Sequence, residues 1–262
     1  MKMTNEHIDG RFDELVAWIK EQEEVVVAFS GGVDSTLVAY SAMMALGESA
    51  HVIFCQTPLM TFEEVNGAVA LATSLRLPLK ILELDPLEID AVRENHEDRC
   101  YHCKRYIFEN IAKHHPGVTV LDGTNLDDTF TDRPGLRALD ELGVKSPLAL
   151  LRIGKEEVRA IGEHIHLPNW EKPSAPCLAT RFRPNTTLSL EMLSRTQKAE
   201  RVLTDAGYTY VRIRDRYPEG VIEVHPDEVQ RLNREIETLR GSLAPYYQTV
   251  TVDPEGYRGS TL

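Results

Sequence analysis

The sequence predicts an α/β protein in which a parallel sheet is flanked by helices and a smaller α+β domain follows. Three observations support this class. The run Val25–Phe29 is apolar and β-branched and leads through a glycine loop into an apolar helix. Three more apolar runs, at 51–55, 79–84 and 118–121, alternate with helical patterns. The stretch 172–184 has three prolines and no periodicity, so we place the domains at 1–170 and 171–262.

The first domain begins with an amphipathic helix over 5–22, which we expect to cover the sheet. The helix after the glycine loop is predicted over 36–46. Because the carboxyl ends of parallel strands lie at one edge, the loops that follow the four strands should surround one crevice.

The loop between the first strand and its helix reads Ser-Gly-Gly-Val-Asp-Ser and has the chemistry of a phosphate site. Gly31 and Gly32 let backbone N–H groups converge on one pocket, and the helix N-terminus adds partial positive charge. Ser30 and Ser35 add hydroxyl donors, and Asp34 is the candidate ligand of Mg²⁺ on the phosphates. A glycine-rich turn that binds nothing is the alternative. The loop lacks the lysine and the spacing of a Walker A motif.

This hexapeptide resembles the signature of the PP-loop ATP pyrophosphatase superfamily, which has the adenine nucleotide alpha hydrolase-like fold. The resemblance implies ATP binding, cleavage between the α and β phosphates, and adenylylation of a carbonyl or carboxylate oxygen.

Composition and net charge limit the classes of partner that we expect for this protein. The chain has 262 residues and a net charge of −12, which disfavours non-specific attraction to nucleic acid or to an anionic membrane. No apolar run approaches the roughly 20 residues of a membrane span, and the first ten residues are not typical of a signal peptide. We expect a cytoplasmic protein without nucleic-acid or membrane partners.

Two of the four cysteines, Cys100 and Cys103, form a Cys-x-x-Cys pair at the start of a predicted helix that runs to about residue 113. The helix N-terminus and neighbouring cations favour thiolates there. A zinc site would need a second ligand pair, whereas these two with Cys177 match a [4Fe–4S] cluster that leaves one iron open. From the Cys-x-x-Cys pair alone, a zinc site, a redox pair and an unliganded pair of cysteines remain alternatives. Cys55 lies in an apolar strand and is predicted to be core.

Cys177 lies in the proline-rich loop beside Thr180, Arg181 and Arg183. We expect an exposed, reactive thiolate there, because guanidinium groups stabilise the charged form.

The second domain is predicted to contain antiparallel hairpins, in a ferredoxin-like arrangement, with flanking helices. The predicted helices and strands are 188–206, 208–214, 221–225, 226–239 and 246–252, with a turn at Pro218 and Gly220. Arg212 and Arg214 should project from one face of their strand. They either bind a phosphate or carboxylate or pair with Glu223 across the strands.

The loop after the fourth strand has two candidate features. Gly123 either permits close approach of a nucleotide or forms a plain tight turn. A later acidic stretch, with Asp127, Asp128, Asp132 and Arg133, either assists ATP and metal binding or is solvated.

Taken together, SGGVDST, RCYHCK, LDGTNLDD with DRPG, APCLATRF, and AERVL with GY and VRIR resemble the ATP-dependent sacrificial sulfur transferases of nickel-pincer-cofactor biosynthesis, the LarE family. The match runs from about residue 12 to 258. The resemblance implies that ATP and Mg²⁺ adenylylate pyridinium-3,5-biscarboxylic acid mononucleotide, a precursor of the lactate racemase cofactor. It also places Arg181 and Glu200 near this substrate and implies a homo-oligomer.

The resemblance implies two sulfur sources. In members with one cysteine, the residue at the position of Cys177 gives up its sulfur and becomes dehydroalanine. Members that also have Cys100 and Cys103 carry a [4Fe–4S] cluster whose open iron delivers hydrosulfide. We favour the cluster, since this chain has all three. Three rival functions remain: a PP-loop tRNA thiolation enzyme, an ATP-dependent amidating synthetase of the NAD or GMP type, and a metal-binding module that only senses ATP.

Overall fold

The computed structural model describes residues 4–130, 134–173 and 175–258, which form two compact units. The first unit consists of the segments Met1–Thr57, Phe62–Val92 and Asp98–Ala175. The second consists of Pro58–Thr61, Arg93–Glu97 and Pro176–Leu262. No helix of the described segments is long and apolar enough to cross a membrane.

The described residues contain seven strands in two sheets. In chain order, β1 to β7 are Val25–Phe29, Ala50–Gln56, Leu79–Glu83, Thr119–Leu121, Arg212–Arg216, Glu219–Glu223 and Thr249–Val252. The first unit holds a sheet of order β3-β2-β1-β4, in which every pairing is parallel. The second unit holds a sheet of order β5-β6-β7.

Ten α-helices accompany these strands within the described residues. In chain order, α1 to α10 are Asn5–Lys20, Val33–Leu46, Phe62–Ser74, Asp90–Arg93, Arg99–His114, Pro134–Glu141, Pro147–Leu150, Lys155–His164, Leu190–Asp205 and Val229–Leu243.

Helices cover both faces of the parallel sheet. Val26 packs in one cluster with Phe108 and Ile111 of α5 and Leu139 of α6. Val25 and Val27 are completely buried and, by the alternation of a strand, point to the opposite face. Helix α2 contacts β1 and packs against α1 and α8. The predicted α/β class, with a parallel sheet flanked by helices, is confirmed.

The central strand β1 pairs with β2 on one side and β4 on the other, so the loops after β1 and β4 meet at its carboxyl end. The helix after β1 starts at Val33, three residues earlier than predicted, because Gly32 is the extended N-cap residue. The phosphate loop is therefore short and runs directly into the helix.

The second unit corrects the predicted hairpins. The β5–β6 pair is antiparallel, but β7 pairs parallel to β6, with α10 between them in the chain. A parallel partner requires such a crossover, so the described sheet contains one hairpin only. The apolar core joins α9, the three strands and α10 through residues such as Ile213 and Ile222.

The predicted ends of β5 and β6 were also wrong. Tyr210 has φ +52°, which is outside the strand region, so β5 starts at Arg212. Gly220 lies inside β6 and not in the turn. A Cβ at Gly220 would lie 3.0 Å from the ring of Tyr247, which shows that the buried tyrosine occupies the side-chain space.

Candidate functional site

The loop after β1 folds into a cradle held by its own hydroxyl groups. The N–H of Ser30 donates to Ser35 Oγ at 3.1 Å, and the two serine Oγ atoms lie 2.9 Å apart. The N–H of Gly32 donates to Ser30 Oγ at 3.3 Å. Gly32 has no side chain to cap α2, so the N–H groups of the first helical turn are available to an anion. The predicted phosphate-site residues Ser30, Gly32 and Ser35 are thus joined in one hydrogen-bonded loop.

Two glycines allow this cradle to pack closely. Gly31 has φ +73°, and a Cβ there would lie 2.8 Å from the Cβ of Ala68 in α3. A Cβ at Gly123 would lie 2.6 Å from the backbone nitrogen of Ser35. Gly123 therefore packs against the start of α2, and the loop after β4 contacts the cradle directly.

Asp34 lies in the first turn of α2 and faces the loop after β4. Its Oδ1 accepts a hydrogen bond from Asn125 Nδ2 at 2.7 Å, although the two residues are 91 positions apart. Burial raises the pKa of Asp34, and the nearby Asp128 carboxylate adds to this, while the Asn125 hydrogen bond opposes it. A cation bound here would favour the charged carboxylate, which agrees with the predicted role of Asp34 in Mg²⁺ binding. Sequence reasoning missed Asn125.

The two aspartates that the structure describes in the acidic loop have different roles. Asp127 Oδ2 accepts from the backbone N–H of Lys155 at 2.6 Å, which caps the start of α8. Asp128 accepts from the Asn125 N–H at 3.4 Å and lies 3.2 Å from the Lys155 ammonium. Asp128 thus supports the residue that holds Asp34. The predicted Asp132 and Arg133 lie outside the described residues.

A turn after α8 supports the cradle from a distant part of the chain. Asn169 Nδ2 donates to the Gly31 carbonyl oxygen at 3.3 Å and to Thr36 Oγ1 at 3.1 Å. Lys172 Nζ donates to the same carbonyl oxygen at 3.2 Å. Sequence reasoning missed both residues, because nothing local indicates contacts across about 140 positions.

In the second unit, Cys177 begins a short 3₁₀ turn, Leu178–Arg181. Its carbonyl oxygen accepts from the N–H of Thr180 at 3.0 Å and from Thr180 Oγ1 at 2.8 Å. Leu178 is fully buried and its N–H donates to the Leu59 carbonyl oxygen at 2.8 Å. Cys177 is half-buried and not exposed as predicted, because the residues that follow it belong to the core.

Arg181 is buried and holds this turn in place. Its Nε and Nη2 donate to Glu200 at 2.9 and 3.2 Å, and Glu200 Oε1 also accepts from the backbone N–H of Ile213 at 2.9 Å. Arg181 Nη1 donates to the carbonyl oxygens of Pro176 at 2.7 Å and Cys177 at 3.2 Å. The guanidinium therefore contacts the backbone around Cys177 and a buried carboxylate.

The two candidate arginines of β5, Arg212 and Arg214, differ in their partners. Arg214 forms a bidentate pair with Glu223, with both N–O distances 2.9 Å, and donates to the Thr180 carbonyl oxygen at 2.8 Å. Arg212 lies with its guanidinium 5.2 Å from the ring centre of Tyr257. The cross-strand pairing that we considered for this strand is thus present for Arg214. Its bond to Thr180 also joins β5 to the cysteine turn, residues 177–181.

The Cys-x-x-Cys pair lies at the start of α5, as predicted, with Cys100 exposed and Cys103 half-buried. Across the described segments, no group of three or more His, Cys, Asp or Glu residues is arranged to hold a metal ion. These two thiols fit a partial ligand set only. Burial raises the pKa of the Cys55 thiol to about 12 and Cys55 packs against a core cluster, which agrees with its predicted core role.

The NAD synthase family matches residues 12–112, which include the cradle and the Cys-x-x-Cys pair. An uncharacterised protein of Synechocystis is 34% identical over 97% of both chains. The pyridinium-3,5-bisthiocarboxylic acid mononucleotide synthase of Lactiplantibacillus plantarum is 32% identical over 95% of this chain and 92% of its own. A GMP synthase of Solidesulfovibrio magneticus is 31% identical over 70% of this chain and 41% of its own.

The parallel sheet, the glycine cradle and these similarities define an ATP-dependent enzyme of the PP-loop class. Similarity along nearly the whole chain narrows this class further. The chain belongs to the family of the pyridinium-3,5-bisthiocarboxylic acid mononucleotide synthase.

Proposed function

We propose that this chain is an ATP-dependent sulfur transferase that converts pyridinium-3,5-biscarboxylic acid mononucleotide into the bis-thiocarboxylic acid precursor of a nickel-pincer cofactor. The observation that carries the proposal is the near full-length similarity to a synthase of that product. The similarity to the NAD synthase family ends at residue 112 and so supports the ATP step alone.

The first step is activation of a substrate carboxylate. The backbone N–H groups of the cradle bind the phosphates, and Asp34, held by Asn125, binds Mg²⁺. A carboxylate oxygen attacks the α-phosphorus, the bond to the β-phosphate oxygen breaks, and pyrophosphate leaves. The resulting acyl adenylate makes AMP the leaving group of the next step.

The second step forms the carbon–sulfur bond. The thiolate of Cys177 attacks the acyl carbon and AMP leaves, which produces a thioester. Removal of the Cys177 α-proton then breaks the Cβ–Sγ bond, so that the substrate keeps the sulfur and the enzyme keeps dehydroalanine. Arg181 and Arg214, which hold the carbonyl oxygens of residues 176, 177 and 180, position the thiol for this attack.

The alternative sulfur source, which the three cysteines favour, would be a [4Fe–4S] cluster held by Cys100, Cys103 and Cys177, with hydrosulfide supplied at its open iron. The Cys-x-x-Cys helix supports two of these ligands. In that case Cys177 would be a ligand and would remain intact.

Substrate binding is proposed for the second unit. Arg212, beside Tyr257, and Arg214, paired with Glu223, offer guanidinium groups to the phosphate or carboxylates of the mononucleotide. Binding by Arg214 would require it to share or exchange its present carboxylate partner.

The test combines pyrophosphate release with mass spectrometry of the anaerobically purified protein after turnover with ATP and the biscarboxylic acid mononucleotide. We expect Cys177→Ala to release pyrophosphate in the first turnover but to form no thiocarboxylate. Cys55→Ala is the matched control, since this core thiol should leave both steps unchanged. A chain lighter by about the mass of H₂S at Cys177 would establish the sacrificial route.

Other results would redirect or overturn the proposal. About four irons per cluster, lost in Cys100→Ala, with Cys177 intact after turnover, would establish the cluster route. Pyrophosphate release that depends on ammonia and not on sulfur would indicate an amidating synthetase. Tight, strongly salt-dependent tRNA binding would indicate tRNA thiolation. Absence of pyrophosphate with every substrate would leave a module that only binds ATP.

A further inference from the structure

Lys172 is a cation that the ATP chemistry described above does not use. Its ammonium is half-buried and donates to the Gly31 carbonyl oxygen at 3.2 Å, inside the cradle loop. Within the described residues it forms no ion pair with a carboxylate. This partly desolvated ammonium has a neutral oxygen as its partner, so the cost of removing its charge from water is incompletely compensated.

The backbone of Lys172 is held firmly while its side chain is long. Arg159 Nη1 donates to the Trp170 carbonyl oxygen at 3.2 Å, and its Nη2 donates to the Lys172 carbonyl oxygen at 3.3 Å. The Lys172 N–H donates to the Asn169 carbonyl oxygen at 2.9 Å. The ammonium can therefore change partner through side-chain torsions, without a backbone movement.

The Gly31 carbonyl oxygen does not depend on Lys172. Asn169 Nδ2 donates to the same oxygen at 3.3 Å, so the carbonyl keeps one donor if the ammonium leaves. Since a buried carbonyl needs at least one donor, this duplication lowers the cost of releasing Lys172.

We infer that Lys172 leaves Gly31 and binds the β- and γ-phosphates of ATP, and then the pyrophosphate product, as their counter-ion. The lysine comes from a turn about 140 residues after the cradle and supplies the positive side chain that the glycine loop itself lacks. This inference rests on ATP use at the cradle, and it predicts that AMP, which has no β-phosphate, does not need Lys172.

The test is equilibrium binding by calorimetry of ATP, AMP and inorganic pyrophosphate, each with Mg²⁺ and without the sulfur-transfer substrate. We expect Lys172→Met to bind ATP and pyrophosphate about 10- to 100-fold more weakly, with AMP unchanged, and Lys172→Arg to recover most of the affinity. Lys20→Met is the matched control, because it removes the same charge from an exposed site at the end of α1, before β1. It should bind all three ligands as the wild type does.

Asn169→Leu separates phosphate binding from support of the loop. This variant removes the other donor to Gly31 and should weaken AMP and ATP by the same factor, because it disturbs the cradle as a whole. If Lys172→Met also weakens AMP and ATP equally, or leaves ATP unchanged, the inference is overturned. Wild-type ATP binding without any thiocarboxylate formation would count against the proposed sulfur transfer and not against Lys172.

Discussion

The ATP cradle and the cysteine turn are both tight loops, but they are held by different means. The cradle depends on missing side chains, because Gly31 and Gly123 each allow a neighbour closer than a Cβ would permit. The cysteine turn depends on charged side chains. Arg181 and Arg214 donate hydrogen bonds to the carbonyl oxygens around Cys177, and each arginine is paired with a glutamate, Glu200 or Glu223. The N–H groups at the start of α2 have no side-chain cap, whereas the donors of Arg181 already contact the protein.

This difference has a physical consequence for each loop. A phosphate is bound well by backbone N–H groups whose direction is set in advance, so rigidity built from close packing suits the cradle. A nucleophile needs its backbone held while the thiol stays accessible, and buried ion pairs achieve this at the cost of desolvating the charges. Substitutions in the two loops should therefore differ in how much they lower the free energy of unfolding and in whether they weaken ATP binding.

Arg181→Met should have the largest effect, since it leaves Glu200 buried without its cation and removes a donor from the carbonyl oxygens of Pro176 and Cys177. We expect a loss of about 3–5 kcal/mol in the free energy of unfolding, measured with urea. Arg216→Met is the control, because it removes an exposed arginine at the end of β5 in the same unit, and it should stay near wild type. Adding Glu200→Gln to Arg181→Met should recover part of the loss, and failure to recover any would refute the buried-charge explanation.

Gly31→Ala should have a smaller effect on stability but should abolish ATP binding. The positive φ costs about 1–3 kcal/mol for a residue with a Cβ, and the contact with Ala68 adds to this. Gly117→Ala is a matched control, because its φ is +81° and no atom lies within 4 Å of the added Cβ. Urea unfolding and calorimetry with ATP would show the difference. Equal losses in the two variants would mean that close packing contributes nothing at the cradle.

Asp34→Asn should change stability least, and in the favourable direction. Burial raises the pKa of Asp34, so the folded protein binds this proton more tightly than the unfolded chain does. The stability contribution of the protonated carboxyl is present below the unfolded pKa and is lost as pH rises through the raised folded value. Asparagine still accepts from Asn125 and carries no charge.

Two measurements check this prediction. Thermal unfolding should show Asp34→Asn above wild type by a few degrees at neutral pH, and level with it in acid. Pyrophosphate release should fall by about 100-fold or more, because Mg²⁺ loses its carboxylate. A variant that melts below wild type at neutral pH would contradict the burial argument.

The comparison also shows which parts of the site a sequence reveals. The strand, the glycine loop and the helix after it were predictable, because hydrophobic run length, missing side chains and helix-start chemistry act between near neighbours. The position of the Cys-x-x-Cys pair at the start of α5 was predictable for the same reason. The hairpin of β5 and β6 was misplaced, since Tyr210 takes a left-handed backbone that no local pattern announces.

By itself the sequence determined the α/β class, the phosphate loop and the family resemblance, because these depend on order and spacing along the chain. Only the tertiary structure decided that Asn125 holds Asp34, that Arg181 reaches Glu200 and the Cys177 carbonyl, and that Lys172 lies on Gly31. These contacts join residues up to 141 positions apart. Their partners are selected by packing and by the need to satisfy buried polar groups, which operate only once the elements are assembled.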